Sequence, residues 1–262
     1  MNRVLAFGAA LALVVVSCGG SSTDRVIVGA GTTLVDSGFL DLVVEQYQAD
    51  VGDVTMSVVG LSSAQAIAYA EAGNADVIVT HDPIALATFL SENPSSVSDV
   101  AFVSSFIVVA PPGVVPRSTD ATAVFRYVSQ TATPFVSRDD GSGTHVREQV
   151  LWASVPYQPV GESWYTRTGT GMGATLLVAD QRAAATLTEL GAFLASDDIL
   201  VLDEVPLDDD ADLVNPYNVT AVAPSTNPEA LAFMDWLLSD RGRTAITSAN
   251  NELFGSQVYQ LP

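Results

Sequence analysis

Apolar residues cluster in short β-branched runs that alternate with longer, helix-spaced stretches. Strands are predicted over residues 26–30, 55–59, 76–80, 102–110, 134–137, 164–167, 199–201 and 219–222. Helices are predicted over 37–47, 64–72, from Pro83 onward, and over 121–129, 143–153, 172–182, 228–238 and 244–248. Pro83 is well placed to open a helix, because its missing N–H would have had no partner there. The acidic stretch with Asp203, Glu204 and residues 208–210 reads as a solvated loop. Repeated strand–helix alternation implies parallel sheet covered by helices, an α/β chain.

The first residues follow another pattern. Arg3, an apolar run over residues 5–16 and Ser17-Cys18 describe a secretory leader of residues 1–17, too short to span a bilayer. The chain's one cysteine then sits where a lipoprotein would be cut and acylated, and residues 18–25 read as a tether. Two or three acyl chains on Cys18 would hold the domain stably to the outer face of a membrane. A lone cysteine also rules out an internal disulfide, so the exported part must be held by its core. Roughly 240 residues remain, enough for two lobes or one large α/β unit.

Charge changes the picture. The formal net charge is −20, and each of the ten strong bases is an arginine. Such a surface excludes nucleic acid as a partner and repels anions at long range. An anion site on this chain must therefore rely on short-range donors.

Such donors gather at the strand-to-helix junctions, as Gly31-Thr32-Thr33, Ser62-Ser63, Gly141-Ser142-Gly143-Thr144 and Gly169-Thr170-Gly171-Met172-Gly173. Each junction could be an ordinary helix cap, worth about 1 kcal/mol. Several together, at the carboxyl ends of strands and beside Arg138, point to an oxyanion held by free N–H groups and helix dipoles. Arg138 adds a charged fork of donors, unless Asp139 or Glu148 pairs with it, and Asp140 is placed to cap the helix that follows. His145 reads as a packing residue. A hydrolase using Ser142 and His145 is the rival reading, but no GxSxG elbow or HExxH motif supports it. A surface adhesin would explain the anchor and not the junctions.

Four segments resemble the tungstate-binding proteins of bacterial ABC uptake systems. They are Thr32-Thr33 with Asp36-Ser37-Gly38; Gly73-Asn74-Ala75-Asp76-Val77; Ser137-Arg138 through Ser142-Gly143-Thr144-His145; and Thr168 through Leu176. Asn215-Pro216-Tyr217 and Ala185-Thr186-Leu187-Thr188 are weaker matches. The resemblance implies the two-lobe type II periplasmic-binding-protein fold, each lobe a mostly parallel sheet flanked by helices, joined by crossing strands. Residues 26–110 and 219–262 would form lobe 1, and residues 111–218 lobe 2. It implies oxyanion ligands at Thr32, Thr33, Ser63, Arg138, Ser142, Gly143, Thr144, Gly171, Met172 and Gly173, with no cofactor. The ligand would be tungstate, or molybdate or phosphate on the same fold; the partners would be an ABC permease and its ATPase, and the chain a monomer. Ala30-Gly31, Ser62-Ser63-Ala64, Thr170 and Ala185 depart from the family's usual residues, which leaves tungstate and molybdate both open.

Overall fold

Hydrophobic alternation becomes one continuous mixed sheet serving two lobes. The computed structural model describes residues 25–223 and 227–262. The expected leader, Cys18 and the tether up to residue 24 lie outside them.

In chain order the elements of the first lobe are β1 (Arg25–Gly31), α1 (Thr32–Asp36), α2 (Phe39–Val51), β2 (Thr55–Leu61), α3 (Ser63–Glu71), β3 (Val77–Thr80) and α4 (Pro83–Glu92). The long strand β4 (Val97–Ala110) leads into α5 (Ala121–Thr131), β5 (Phe135–Ser137), α6 (Gly143–Ala153), β6 (Tyr165–Arg167), α7 (Met172–Gln181), β7 (Ala185–Glu189) and α8 (Leu190–Leu194). A short edge strand β8 (Asp203–Glu204) precedes the return strand β9 (Val214–Ala221), and α9 (Pro228–Leu238) and α10 (Asp240–Phe254) follow.

Strand order is β2-β1-β3-β9-β4-β7-β5-β6, with β8 on β4. The β1–β2, β1–β3, β5–β6 and β5–β7 pairs are parallel, as strand–helix–strand crossovers require. The crossing strands run against them: β9 is antiparallel to β3 and β4, and β4 to β7. β4 changes partner along its length, facing β9 from Val97 to Ser105 and β7 from Phe106 to Val109. The lobes are therefore joined through backbone that is itself sheet.

Each lobe buries its own core on both sheet faces. In the first, Phe39 stacks on Tyr259 at 4.0 Å and packs edge-on to Phe102, with Tyr47, Phe233 and Trp236 beyond. In the second, Phe125, Phe135, Trp152 and Tyr165 form a herringbone under α5 and α6. Truncating one such ring to alanine costs about 3–5 kcal/mol.

Some expectations need correction. The helix expected over 37–47 is α2, beginning at Phe39, but Thr32 and Thr33, expected in a loop, already form the short helix α1, and Gly38 at φ +73° turns the chain between the two. The strand expected over 199–201 is a single 3-10 turn, Asp197–Ile199, followed by extended chain. Ile199 and Val201 are exposed; Leu202 is the residue that enters the core. Asp203 and Glu204, expected in a loop, pair with the end of β4.

Candidate functional site

The loop between β5 and α6 is shaped by two left-handed residues, Asp139 at φ +50° and Gly141 at φ +70°. This curl folds Asp140 back under Arg138. Asp140 Oδ2 accepts from Arg138 Nε (3.1 Å) and Nη2 (2.5 Å), while its Oδ1 accepts from the Ser142 N–H (3.1 Å). Burial alone would raise the Asp140 pKa, but the guanidinium and the Ser142 donors outweigh it and hold the carboxyl below its ordinary range. Arg138 is only 2% exposed, and its Nη2 also donates to Thr32 Oγ1 of the other lobe at 3.1 Å.

The partner of Arg138 is thus neither Asp139 nor Glu148. Asp139 faces Arg167 (3.5 Å) and His145 (3.6 Å), and Glu148 is buried, accepting from Trp152 Nε1 and Tyr165 Oη. Nor does Asp140 cap α6. Ser142 does, accepting from the His145 N–H.

On the first lobe, α1 starts directly at Thr32, with Gly31 as its cap. Thr33 points inward and its hydroxyl shares a 2.9 Å hydrogen bond with Tyr217. Ser62 caps α3 in a reciprocal box with Gln65, and the neighbouring Ser63 hydroxyl accepts from the His81 N–H at 3.4 Å.

His81 itself sits where the lobes meet. Its ring stacks on Tyr217 (4.7 Å, 12°), and Nδ1 lies 3.0 Å from Asn215 Oδ1. A Cβ placed on Gly143 would come within 2.7 Å of this ring, and one on Gly31 within 3.8 Å. Only a residue without a side chain permits so close an approach. Burial first, with Arg138 adding to it, lowers the His81 pKa to about 4, so the imidazole is neutral.

The fourth loop is tied to the Arg138 loop by backbone. Thr168 and Gly169 donate their N–H groups to the carbonyls of Ser137 (3.0 Å) and Arg138 (2.8 Å). That places the start of α7 beside the start of α6, and α7 in turn touches α1 of the opposite lobe. Gly171 caps α7 with no side chain and Met172 is buried in the second lobe's core, so these two residues can offer only main-chain donors, while the Thr168 and Thr170 hydroxyls are shared with Thr175.

The structure brings part of the predicted set together across the lobes and gives its members different tasks. Thr32 and Arg138 meet directly across this inter-lobe seam. Ser63 and Gly143 meet through His81. The Thr33 hydroxyl is engaged by Tyr217, which packs in the same core cluster as Leu34 and Phe39, and the Ser142 hydroxyl by the cap of α6. Thr144 Oγ1, in the first turn of α6, is buried without a hydrogen-bond partner among the described residues. His81, Asp140, Asn215 and Tyr217 were not among the predicted ligands. The signals for them were the strand-ending His81-Asp82-Pro83 and the Asn215-Pro216-Tyr217 match.

His145 Nδ1 accepts from the Gly141 N–H (3.1 Å), so its ring is not on the Ser142 hydroxyl and supplies no base there. Among the described residues, no three His, Cys, Asp or Glu are grouped to hold a metal ion.

Comparison with known proteins points the same way. Residues 19–241 match the model of the PBP superfamily domain. The tungstate-binding protein TupA of Peptoclostridium acidaminophilum is 30% identical over 244 residues, covering 89% of this chain and 84% of that one. A crystal structure titled as the tungstate ABC transporter of Geobacter sulfurreducens superposes with a TM-score of 0.75 at 27% identity, over 86% of this chain and 98% of that one. The tungstate-binding protein TupA of Desulfovibrio alaskensis G20 shares the fold at a TM-score of 0.72 and 23% identity, over 91% and 98% of the two chains.

Proposed function

This chain belongs to the PBP superfamily, and from that premise we propose that its seam is a cleft for a tetrahedral oxyanion, tungstate first, held for delivery to an ABC permease and its ATPase. The observation that carries the reading is Arg138: a guanidinium almost wholly withdrawn from water, bonded to Thr32 across the lobes and flanked by two helix N-termini. The guanidinium is a charged fork of donors, and the loop that carries it leads into the unpaired first-turn N–H groups of α6. A dianion lodged there would satisfy both.

The donor set also argues for a particular protonation state. Tungstate and molybdate are fully deprotonated near neutral pH and can only accept. Hydrogen phosphate brings a proton that needs an acceptor. Asp140 is the nearest carboxylate, and both its oxygens already accept, from Arg138 and from Ser142. We read the ligands as Thr32, Arg138, Thr144 and the N–H groups of Gly143, Thr144, Met172 and Gly173, with Gly171 shaping the loop. Thr33, Ser63 and Ser142 hold that frame. Cys18 would carry the lipid anchor after cleavage of the leader, and the chain would act as a monomer.

Calorimetric titration with tungstate, molybdate, sulfate and phosphate tests the reading. Tungstate is expected to bind at least as tightly as molybdate, with the other two much weaker. Tight phosphate binding with no heat from tungstate would overturn it.

A further inference from the structure

His81 carries chemistry that the anion cleft has not yet used. Its Nδ1 is committed to Asn215 Oδ1, an acceptor, so in the free protein the proton sits on Nδ1 and Nε2 presents a bare lone pair. No described group hydrogen-bonds Nε2. That atom lies 3.8 Å from a Cβ built on Gly31 and 2.7 Å from one built on Gly143, the residues at the heads of α1 and α6. It therefore lies against the head of α6, the helix whose first-turn N–H groups are assigned to the anion. Stacking on Tyr217 and the Asn215 bond prevent the ring from turning away.

We propose that His81 is a conditional ligand of the oxyanion: it takes one proton from solvent when the dianion binds and donates it from Nε2 as a hydrogen bond. The inference rests on the cleft proposed above and adds a site residue and a proton to it. Charge balance is simple, since neutral imidazole, one solvent proton and a dianion become imidazolium hydrogen-bonded to the dianion.

The groups around the ring set the direction. Asp82 on its own turn and Asp140 on the Arg138 loop favour the proton; burial and Arg138 oppose it. Arg147 of α6 lines the same small hollow beside the ring, and Tyr217 is engaged with Thr33. With the lobes in contact and no anion between them, the opposing side wins and the His81 pKa is lowered to about 4. A negative charge within hydrogen-bond range raises such a pKa by about 1–3 units, and a tetrahedral dianion brings two charges.

The test is tungstate calorimetry on the full-length protein at one pH in two buffers of different ionisation enthalpy, repeated between about pH 5 and 7.5, the window spanned by the shift from about 4, with wild type and His81→Gln. Wild type should take up as much as about one proton per anion, and its affinity should tighten by up to about tenfold per unit as pH falls. Glutamine can donate a hydrogen bond but not titrate, so the variant should still bind tungstate with its pH slope and proton uptake gone. Equal heats in the two buffers for wild type would overturn the proposal, as would unchanged uptake in His81→Gln. Both leave the anion cleft standing. The wild-type measurement needs no variant to fold, and absence of any tungstate binding would instead remove the cleft on which the inference rests.

Discussion

Gly143→Ala is the substitution with the most legible consequence. The new methyl would lie 2.7 Å from the His81 ring, where ordinary contact begins at 3.4 Å, so at least 0.7 Å must be found by difference. The ring cannot supply it: one face is stacked on Tyr217, Phe106 lies 5.9 Å away, and Nδ1 is held by Asn215. The start of α6 must retreat instead, and that loosens the 3.1 Å bond between Arg138 and Thr32. Overpacking of this kind costs about 1–3 kcal/mol, which corresponds to about a 5- to 150-fold loss of anion affinity. Lobes held apart would feel none of it, and alanine in the first turn of α6 would stabilise that open form by about 0.5–1 kcal/mol. Weaker tungstate binding in calorimetry, combined with an unchanged or higher melting temperature, is therefore expected. In a His81→Ala background, where the ring is gone, the same substitution should cost less than about threefold, because the two residues are in contact and their effects should not add. Wild-type affinity in Gly143→Ala would refute the closed arrangement in which His81 and α6 touch.

Other tests are shorter. Arg138→Gln should weaken tungstate binding by about a hundredfold or more, since charge-assisted hydrogen bonds contribute about 1.5–3 kcal/mol each; binding within threefold of wild type would remove Arg138 from the cleft. Burial raises the Glu148 pKa from 4.5 to about 7, so its contribution is fully present below pH 4.5 and is lost as pH rises through 7. Glu148→Gln keeps an oxygen for Trp152 and Tyr165 and should recover up to about 3 kcal/mol at pH 8 but little at pH 5, read from denaturant midpoints. An identical pH slope in both proteins would count against it. Cys18→Ala should release the chain from the membrane fraction and abolish acyl-chain labelling, and a variant that stays membrane-bound and labelled would contradict the anchor.

The elements that the sequence revealed best are those with unambiguous punctuation. α6 begins at Gly143 and ends at Ala153 as its Ser-Gly-Thr cap and apolar spacing indicate, and α9 starts at Pro228. What stayed hidden depends on partners distant in the chain. β7 reads as an ordinary Ala-Thr-Leu-Thr stretch until β4 and β5 bracket it. Ile199 and Val201 have strand-like chemistry with no strand beside them, so propensity without a partner misleads there. The same division runs through the site. The donor-rich loops are local and were visible; which hydroxyls face the seam was not, because Thr33 is turned by Tyr217 from 184 residues away. His81 looked like any strand-ending histidine, since its task is set by Asn215 and Gly143, each far from it in sequence.

One consequence follows from joining the charge to the geometry. At net charge −20 the long-range field works against every anion, so capture gains nothing from steering. Even at the seam, Arg138 is matched by Asp140, and the pair carries no net charge. The attraction left over comes from helix N-termini and oriented N–H groups, which act only at contact distance and only with water excluded. Affinity and lobe closure then become one quantity: whatever keeps α6 from reaching the first lobe removes the donors and the dry surroundings together. On this argument a contact made by no side-chain donor of its own, the bare Cα of Gly143 against the His81 ring, governs binding as strongly as the arginine does.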